Sequence, residues 1–250
     1  MVKEENMILG INNLNYRSVF KNFKVNLNLE KNSINSIICY DESASALFKI
    51  IGNVESDFKG ELKYPDTIKS AIYIPEASSS FPWLNVEDNI KYVLKNSAST
   101  LVNNDVNIQK IINEVGLKGY ENHFCDNKSL GFRFRISLAR ALIFNSVLIL
   151  IDNSFSEMDN EIKFELFDLI KNISKKYAVS FLINTTNIYD AIYLSENIYL
   201  MKEGNSKFLE SINLFEEWKN LETEDRRNRQ QKVTEKIINI FAKNSLNNVH

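Results

Sequence analysis

The side chains able to do chemistry gather in a few short stretches. CYDESASALFK (39–49) sets Asp41 and Glu42 between a short apolar run and a segment of helical spacing. A turn of that kind can cradle phosphates on backbone amides, but only with φ > 0 and close approach to the ligand, which glycine supplies. No glycine stands between residues 11 and 51, no lysine precedes Lys49 in the stretch, and the two acids would repel a polyphosphate. LILIDNSFSEMDN (148–160) ends an apolar run in an acid, Asp152. KSLGFRFRISLARAL (128–142) carries Ser129, Gly131, Arg133 and Arg135, the arginines facing either a ligand or solvent. FPWLNVEDNI (81–90) puts Phe81, Pro82, Trp83 and Leu84 in a loop, as an exposed apolar docking patch or as an anchor to the core.

These stretches need elements to hold them. Segments 8–16 and 25–30 alternate apolar and polar residues, as half-buried strands do. INSIICY (34–40) is a short apolar strand running into the helical segment 43–52, with Gly52 as its C-terminal cap. A strand at 70–76 follows, then helices around 86–96, 105–116 and 129–144. VLILID (147–152) reads as a buried parallel strand. Helix 159–176, strand 178–184, helix 187–195 and strand 197–202 continue an alternating order, which implies an α/β fold with a mostly parallel sheet. Beyond residue 209, Ile212, Phe215, Trp218 and Leu221 fall on one helical face, and Val233, Ile237 and Phe241 form a second stripe. This predicts a helical C-terminal extension, either folded back on its own domain or reaching for a partner.

Composition narrows the function classes. Of 250 residues 44% are hydrophobic and 25% charged, the profile of a soluble globular chain with a sizeable core. Thirty Lys+Arg against 32 Asp+Glu leave a net charge of −2, so nucleic-acid binding through bulk charge is not expected. Arg226, Arg227 and Arg229 make a basic run too short to change that. Cys39 and Cys125 cannot build a disulfide framework, and two histidines leave little room for a metal site. No apolar run is long enough to span a membrane, and no signal peptide is expected. Seven glycines are under half the usual share of about 7%.

In order and spacing, FPWLNVEDNI, KSLGFRFRISLARAL, LILIDNSFSEMDN and FLINTTNIYDAIYLSENI (181–198) resemble the nucleotide-binding subunit of ABC transporters, and importers of the nitrate, sulfonate and taurine type most of all. The resemblance runs from about residue 8 to about residue 208. It implies a P-loop NTPase-like fold with a mostly parallel core sheet, an N-terminal antiparallel β subdomain and a helical signature subdomain at about 84–144. The domain is expected over 1–208, with the extension over 209–250.

Carried over position by position, the resemblance finds a degenerate site. Counting back from Gly52, Ser43 stands where the P-loop lysine belongs, and Ala44 where the magnesium-binding hydroxyl belongs, with Ser45 beside them. Asp152 keeps the Walker B acid, but Asn153 replaces the glutamate that polarises water, and an amide is no general base. Thr186 stands at the switch histidine and Glu76 at the loop glutamine. Tyr16 matches the aromatic that stacks on adenine, or simply packs at a strand edge. Asp159 matches the loop crossing the dimer interface, or caps helix 159–176. Ser129, Gly131 and Arg133 correspond to the signature that reaches a partner's nucleotide, with Leu130 replacing its first glycine.

The expectation is therefore a pseudo-ATPase with no nucleotide bound by its own P-loop and ATP/Mg²⁺ shared only at a partner's site. Its partners would be a transmembrane permease, met through Phe81, Pro82, Trp83 and Leu84, and an intact ABC ATPase subunit or a second copy of itself. It would sit at the cytoplasmic face of the inner membrane. The alternatives are an ABC-fold scaffold without a transport role and an enzyme that binds nucleotide through other residues.

Overall fold

β1 (Met7–Arg17) and β2 (Asn22–Glu30) form an antiparallel pair. In β2 the alternation is complete: Phe23, Val25, Leu27 and Leu29 are buried and the residues between them exposed. The computed structural model describes residues 6–17, 22–65, 71–77, 80–96, 107–126, 128–144, 146–201, 208–221 and 225–246. β3 (Ile34–Ile38) is buried along its whole length and passes through four residues into α1 (Ser43–Ile51). β4 (Lys59–Lys63) then returns to the free edge of β1, giving a three-stranded sheet of order β2-β1-β4. KGELK has no apolar alternation to betray it; Gly60 makes the pairing possible, because at φ +109 a Cβ would lie 2.5 Å from the Asn13 carbonyl oxygen.

β5 (Ile72–Ile74) leads into three helices: α2 (Val86–Asn96), α3 (Ile108–Glu114) and α4 (Leu130–Ile143). The chain re-enters the core as β6 (Leu148–Asp152), followed by α5 (Asn160–Tyr177), β7 (Ser180–Thr185), α6 (Ile188–Leu194) and β8 (Asn197–Met201). β9 (Phe208–Asn213), α7 (Leu214–Asn220) and α8 (Arg226–Leu246) complete the described chain. The second sheet has order β5-β6-β7-β3-β8-β9, parallel except for β9. The carboxyl ends of β3, β6 and β7 therefore lie side by side, where open α/β sheets put their ligand crevice.

One expectation needs correction. The span 209–213 is strand, not helix: β9 runs antiparallel to β8, with Ile212 opposite Ile198. An open sheet edge offers a row of unpaired backbone groups, and a six-residue segment satisfies them better than one extra helical turn. Ile212 thus leaves the expected helical stripe, and Phe215 is 70% exposed. Gly52 is the C-terminal cap of α1 as expected, at φ −76 rather than in the left-handed region, and its N–H bonds to the Phe48 carbonyl. What demands glycine is the approach of Tyr73, whose Cβ would lie 2.8 Å from an added Cβ. The positive φ falls one residue later, on Asn53.

The C-terminal helix folds back. Val233 and Ile237 of α8 are buried in a cluster with Ile38, Ala191, Ile192, Ile198, Leu200 and Ile212, and Phe241 sets its ring 5.0 Å from that of Tyr40.

Candidate functional site

Between β3 and α1 the chain binds itself. Asp41 Oδ1 accepts the N–H of Ser43 at 2.8 Å and the thiol of Cys39 at 3.1 Å. No residue from 39 to 44 has a positive φ, so these amides lack the alternating geometry of an anion nest. Ser43 is buried, and Glu42 is exposed at the helix N-cap. Burial pushes the Cys39 thiol up to about 12, which keeps it protonated.

Asp152, at the end of β6, is 2% exposed and has its carboxylate occupied on both oxygens. Oδ1 accepts from Ser45 Oγ and Asn184 Nδ2, each at 2.8 Å, and Oδ2 accepts from the Tyr73 hydroxyl at 2.8 Å. Three neutral donors from α1, β7 and β5 thus hold one charge. Burial and the Asp152 charge both push the Tyr73 phenol well above its usual range, so it remains a donor. Asn184 keeps its Oδ1 buried without a partner.

The flanking positions also pair with each other. Asn153, at φ +47, is tied by its N–H to the Asn184 carbonyl and donates Nδ2 to Glu76 Oε1 at 2.7 Å. Thr186 is exposed just after β7, while the Thr185 hydroxyl accepts the Asn187 N–H.

Ser129 is the N-cap of α4, accepting the Phe132 N–H at 3.3 Å, and is itself exposed. Gly131 is buried against α5, where a Cβ would lie 2.6 Å from Ile162 Cγ2. Arg133 has a buried Nε without a hydrogen-bond partner. Arg135 is spent on structure, donating to the Val115 carbonyl and pairing with Glu165. Asp159 is the N-cap of α5, yet its side chain makes no capping bond. Tyr16 packs on Phe23, ring centroids 5.2 Å apart.

Away from this edge, the loop 81–85 is built around buried Asn89 of α2. Its Oδ1 accepts the Phe81 N–H at 2.8 Å, and its Nδ2 donates to the carbonyls of Phe81 and Leu84. Arg140 of α4 donates Nε to the Asn89 carbonyl and lays its guanidinium 4.8 Å from the Phe81 ring centroid. Phe81 packs between Trp83 and Tyr92, leaving Trp83 69% exposed. A rigid loop thus presents a large apolar side chain to solvent at a site its own core does not use.

The ABC transporter family model matches residues 44–156. An aliphatic sulfonates import ATP-binding protein of Pseudomonas syringae pv. tomato is 28% identical over 179 residues, 71% of this chain and 74% of that protein. A taurine import ATP-binding protein of Yersinia pestis bv. Antiqua is 29% identical over 133 residues, 53% of this chain and 52% of that protein. The fold matches cbiO1 of Clostridium perfringens, part of the ABC transporter complex cbiONQ, with a TM-score of 0.72 at 15% identity, covering 91% of this chain and 99% of that one. Over residues 44–156 the chain carries an ABC transporter domain.

An ABC domain implies a magnesium nucleotide at the carboxyl edge of the sheet, and the residues present do not fit one. Magnesium wants near-octahedral oxygen ligands, whereas both Asp152 oxygens already accept protein donors. A polyphosphate wants free amides and cations, whereas Asp41 takes the Ser43 amide and Glu42 stands at the helix start. The structure brings Ser45, Asp152, Asn153 and Glu76 of this ABC domain together, but leaves Ser129, Gly131, Arg133 and Tyr16 apart from that network. Sequence reasoning missed Tyr73, Asn184, Asn89 and Arg140. Only Asn89 and Arg140 carried a signal, as polar residues inside otherwise apolar helical faces.

Proposed function

We propose that this chain is a non-hydrolysing nucleotide-binding-type subunit of an ABC importer, working beside a competent ATPase subunit. The observation that carries the reading is the Asp152 carboxylate, closed by Ser45, Asn184 and Tyr73 where an ATPase would keep it open to hydrated magnesium. Asn153 as an amide removes the general base, a loss of roughly 10²–10⁴-fold by itself. The chain binds no ATP at its own P-loop position. Its contribution to an intact partner is the N-terminus of α4, where Ser129 is exposed.

The permease contact is the Phe81–Leu84 loop, with Trp83 as its anchor. Held by Asn89 and Arg140, the loop loses little entropy on docking, which favours affinity. A membrane-peripheral position at the cytoplasmic face follows from such docking, and no described helix is long and apolar enough to cross a membrane.

Affinity capture of the full chain from its native membranes tests this reading. Co-recovery of a multi-span permease and an ABC subunit with an intact P-loop is expected, together with no calorimetric heat when the isolated chain meets Mg-ATP. Soluble partners alone, or saturable Mg-ATP binding by the chain itself, would overturn it.

A further inference from the structure

The opposite edge of the sheet carries a cavity that the ABC reading does not use. It measures about 820 Å³ and lies between α5, the start of β3, the end of α6 and the C-terminal helices α7 and α8. That volume falls within the range of about 300–1,000 Å³ usual for small-molecule sites. Ile34 and Leu194 are buried in its floor, and Trp218 lines one side.

Its charge is one-sided. Lys171 and Lys175 approach from α5, Arg226 and Arg229 from α8. Among the described residues the one lining carboxylate is Glu196, which turns to the backbone and accepts the Ile34 N–H at 3.4 Å. Asp168 lies behind Lys171 and accepts the Tyr193 hydroxyl, and Asp225 caps α8 by accepting the Asn228 N–H. Lys171 is set 3.8 Å from the centroid of the Tyr193 ring. Burial pulls its ammonium below the usual value, and the Arg226 charge pulls the same way, against Asp168. The four cations come from two helices that line one recess, rather than from a single solvated helix face. Two arginines at one mouth suit a planar or tetrahedral oxyanion held by paired N–H donors.

We propose that this cavity binds a small organic phosphate monoester, its apolar body on the Trp218 side and its dianionic head among Lys171, Lys175, Arg226 and Arg229. The C-terminal extension thereby supplies one wall and two of the cations of a second site. A buried floor favours a soluble molecule over a lipid headgroup, which would leave the recess empty. The proposal does not depend on the transport reading, since no residue of the Asp152 network lines the cavity.

The test is a fluorescence titration of the full chain carrying Trp83→Phe, so that emission reports Trp218. Phenyl phosphate, inorganic phosphate and phenol are the probes, with phosphatidylglycerol vesicles as a separate arm. Phenyl phosphate is expected to saturate the signal at least about tenfold more tightly than inorganic phosphate, and phenol not to saturate it. Arg226→Gln with Arg229→Gln should weaken phenyl phosphate at least about tenfold, the loss of one or more charge-assisted bonds, with unchanged circular dichroism. The exposed Lys175→Gln is the second variant, should the double one fail to fold. No saturation by phenyl phosphate, affinity unchanged in the folded variants, or arginine-dependent retention on vesicles without phenyl phosphate binding would overturn the proposal.

Discussion

Asn153 Nδ2 donates to Glu76 Oε1 at 2.7 Å, so the residue after the β6 aspartate is bonded to the residue just beyond β5. An amide and a carboxylate satisfy each other here, whereas two carboxylates would repel. Asn153→Glu is therefore expected to lower stability by about 0.5–1 kcal/mol, a modest cost because the pair is solvent-exposed. Adding Glu76→Gln should restore the repulsive part of that loss by inverting the pair, leaving the cost of a glutamate at φ +47. Neither variant should release phosphate from Mg-ATP, because the 39–44 turn is unchanged. Urea unfolding and a phosphate-release assay read the two outcomes separately.

The Asp152 network makes a sharper expectation. Asp152→Ala leaves Ser45, Asn184 and Tyr73 without their acceptor and should cost about 1–3 kcal/mol; Tyr73→Phe removes one donor and should cost about 1 kcal/mol. A ligand present at 100 times its Kd would stabilise the fold by about 2.7 kcal/mol. Mg-ATP is expected to give no such shift in the melting temperature of the wild-type chain. A shift that disappears in Asp152→Ala would show instead that the network opens to admit metal.

Much of the fold was legible because its signals are local. The alternation of Phe23, Val25, Leu27 and Leu29 announces β2, and the unbroken LILID announces a strand buried on both faces. β4 was not legible, since its pairing rests on the absence of a side chain at Gly60 rather than on any pattern. β9 was misread because Ile212 fits both a period of two and a helical stripe, and only the open edge of β8 decides between them. At the site, the sequence exposed what is missing, a lysine and glycines, but not what fills the gap. Tyr73 and Asn184 reach Asp152 from strands 79 and 32 residues away in sequence. No spacing rule links them; the sheet order does.

The packing of α8 separates adjacent residues. Ile237 is fully buried among α6 and β8 side chains, while Ile238 is 51% exposed. Ile237→Ala should cost about 2–5 kcal/mol, and Ile238→Ala less than about 0.5 kcal/mol. Phe241→Ala should fall between them at about 0.5–1.5 kcal/mol, since it removes the edge contact with Tyr40. Equal, small effects at all three positions in urea unfolding would mean that the helix does not dock in solution.

Lys163 of α5 and Asp190 of α6 form a buried pair at 3.5 Å, their side chains 8% and 9% exposed. Burial raises the Asp190 carboxyl above its ordinary value of 3.8, and Lys163 holds that rise in check. A carboxyl raised on folding binds its proton more tightly in the native chain, so its stabilisation is present below 3.8 and is lost as pH climbs through the native value. Lys163→Met removes the restraint, carries the native value higher and leaves the ionised carboxylate buried without a partner. The cost should be small near pH 4 and grow to about 3–5 kcal/mol near pH 8. Urea unfolding of both chains across that range checks the sign: a penalty that shrinks with rising pH would mean that Asp190 does not carry the charge, and adding Asp190→Asn to Lys163→Met should flatten the dependence.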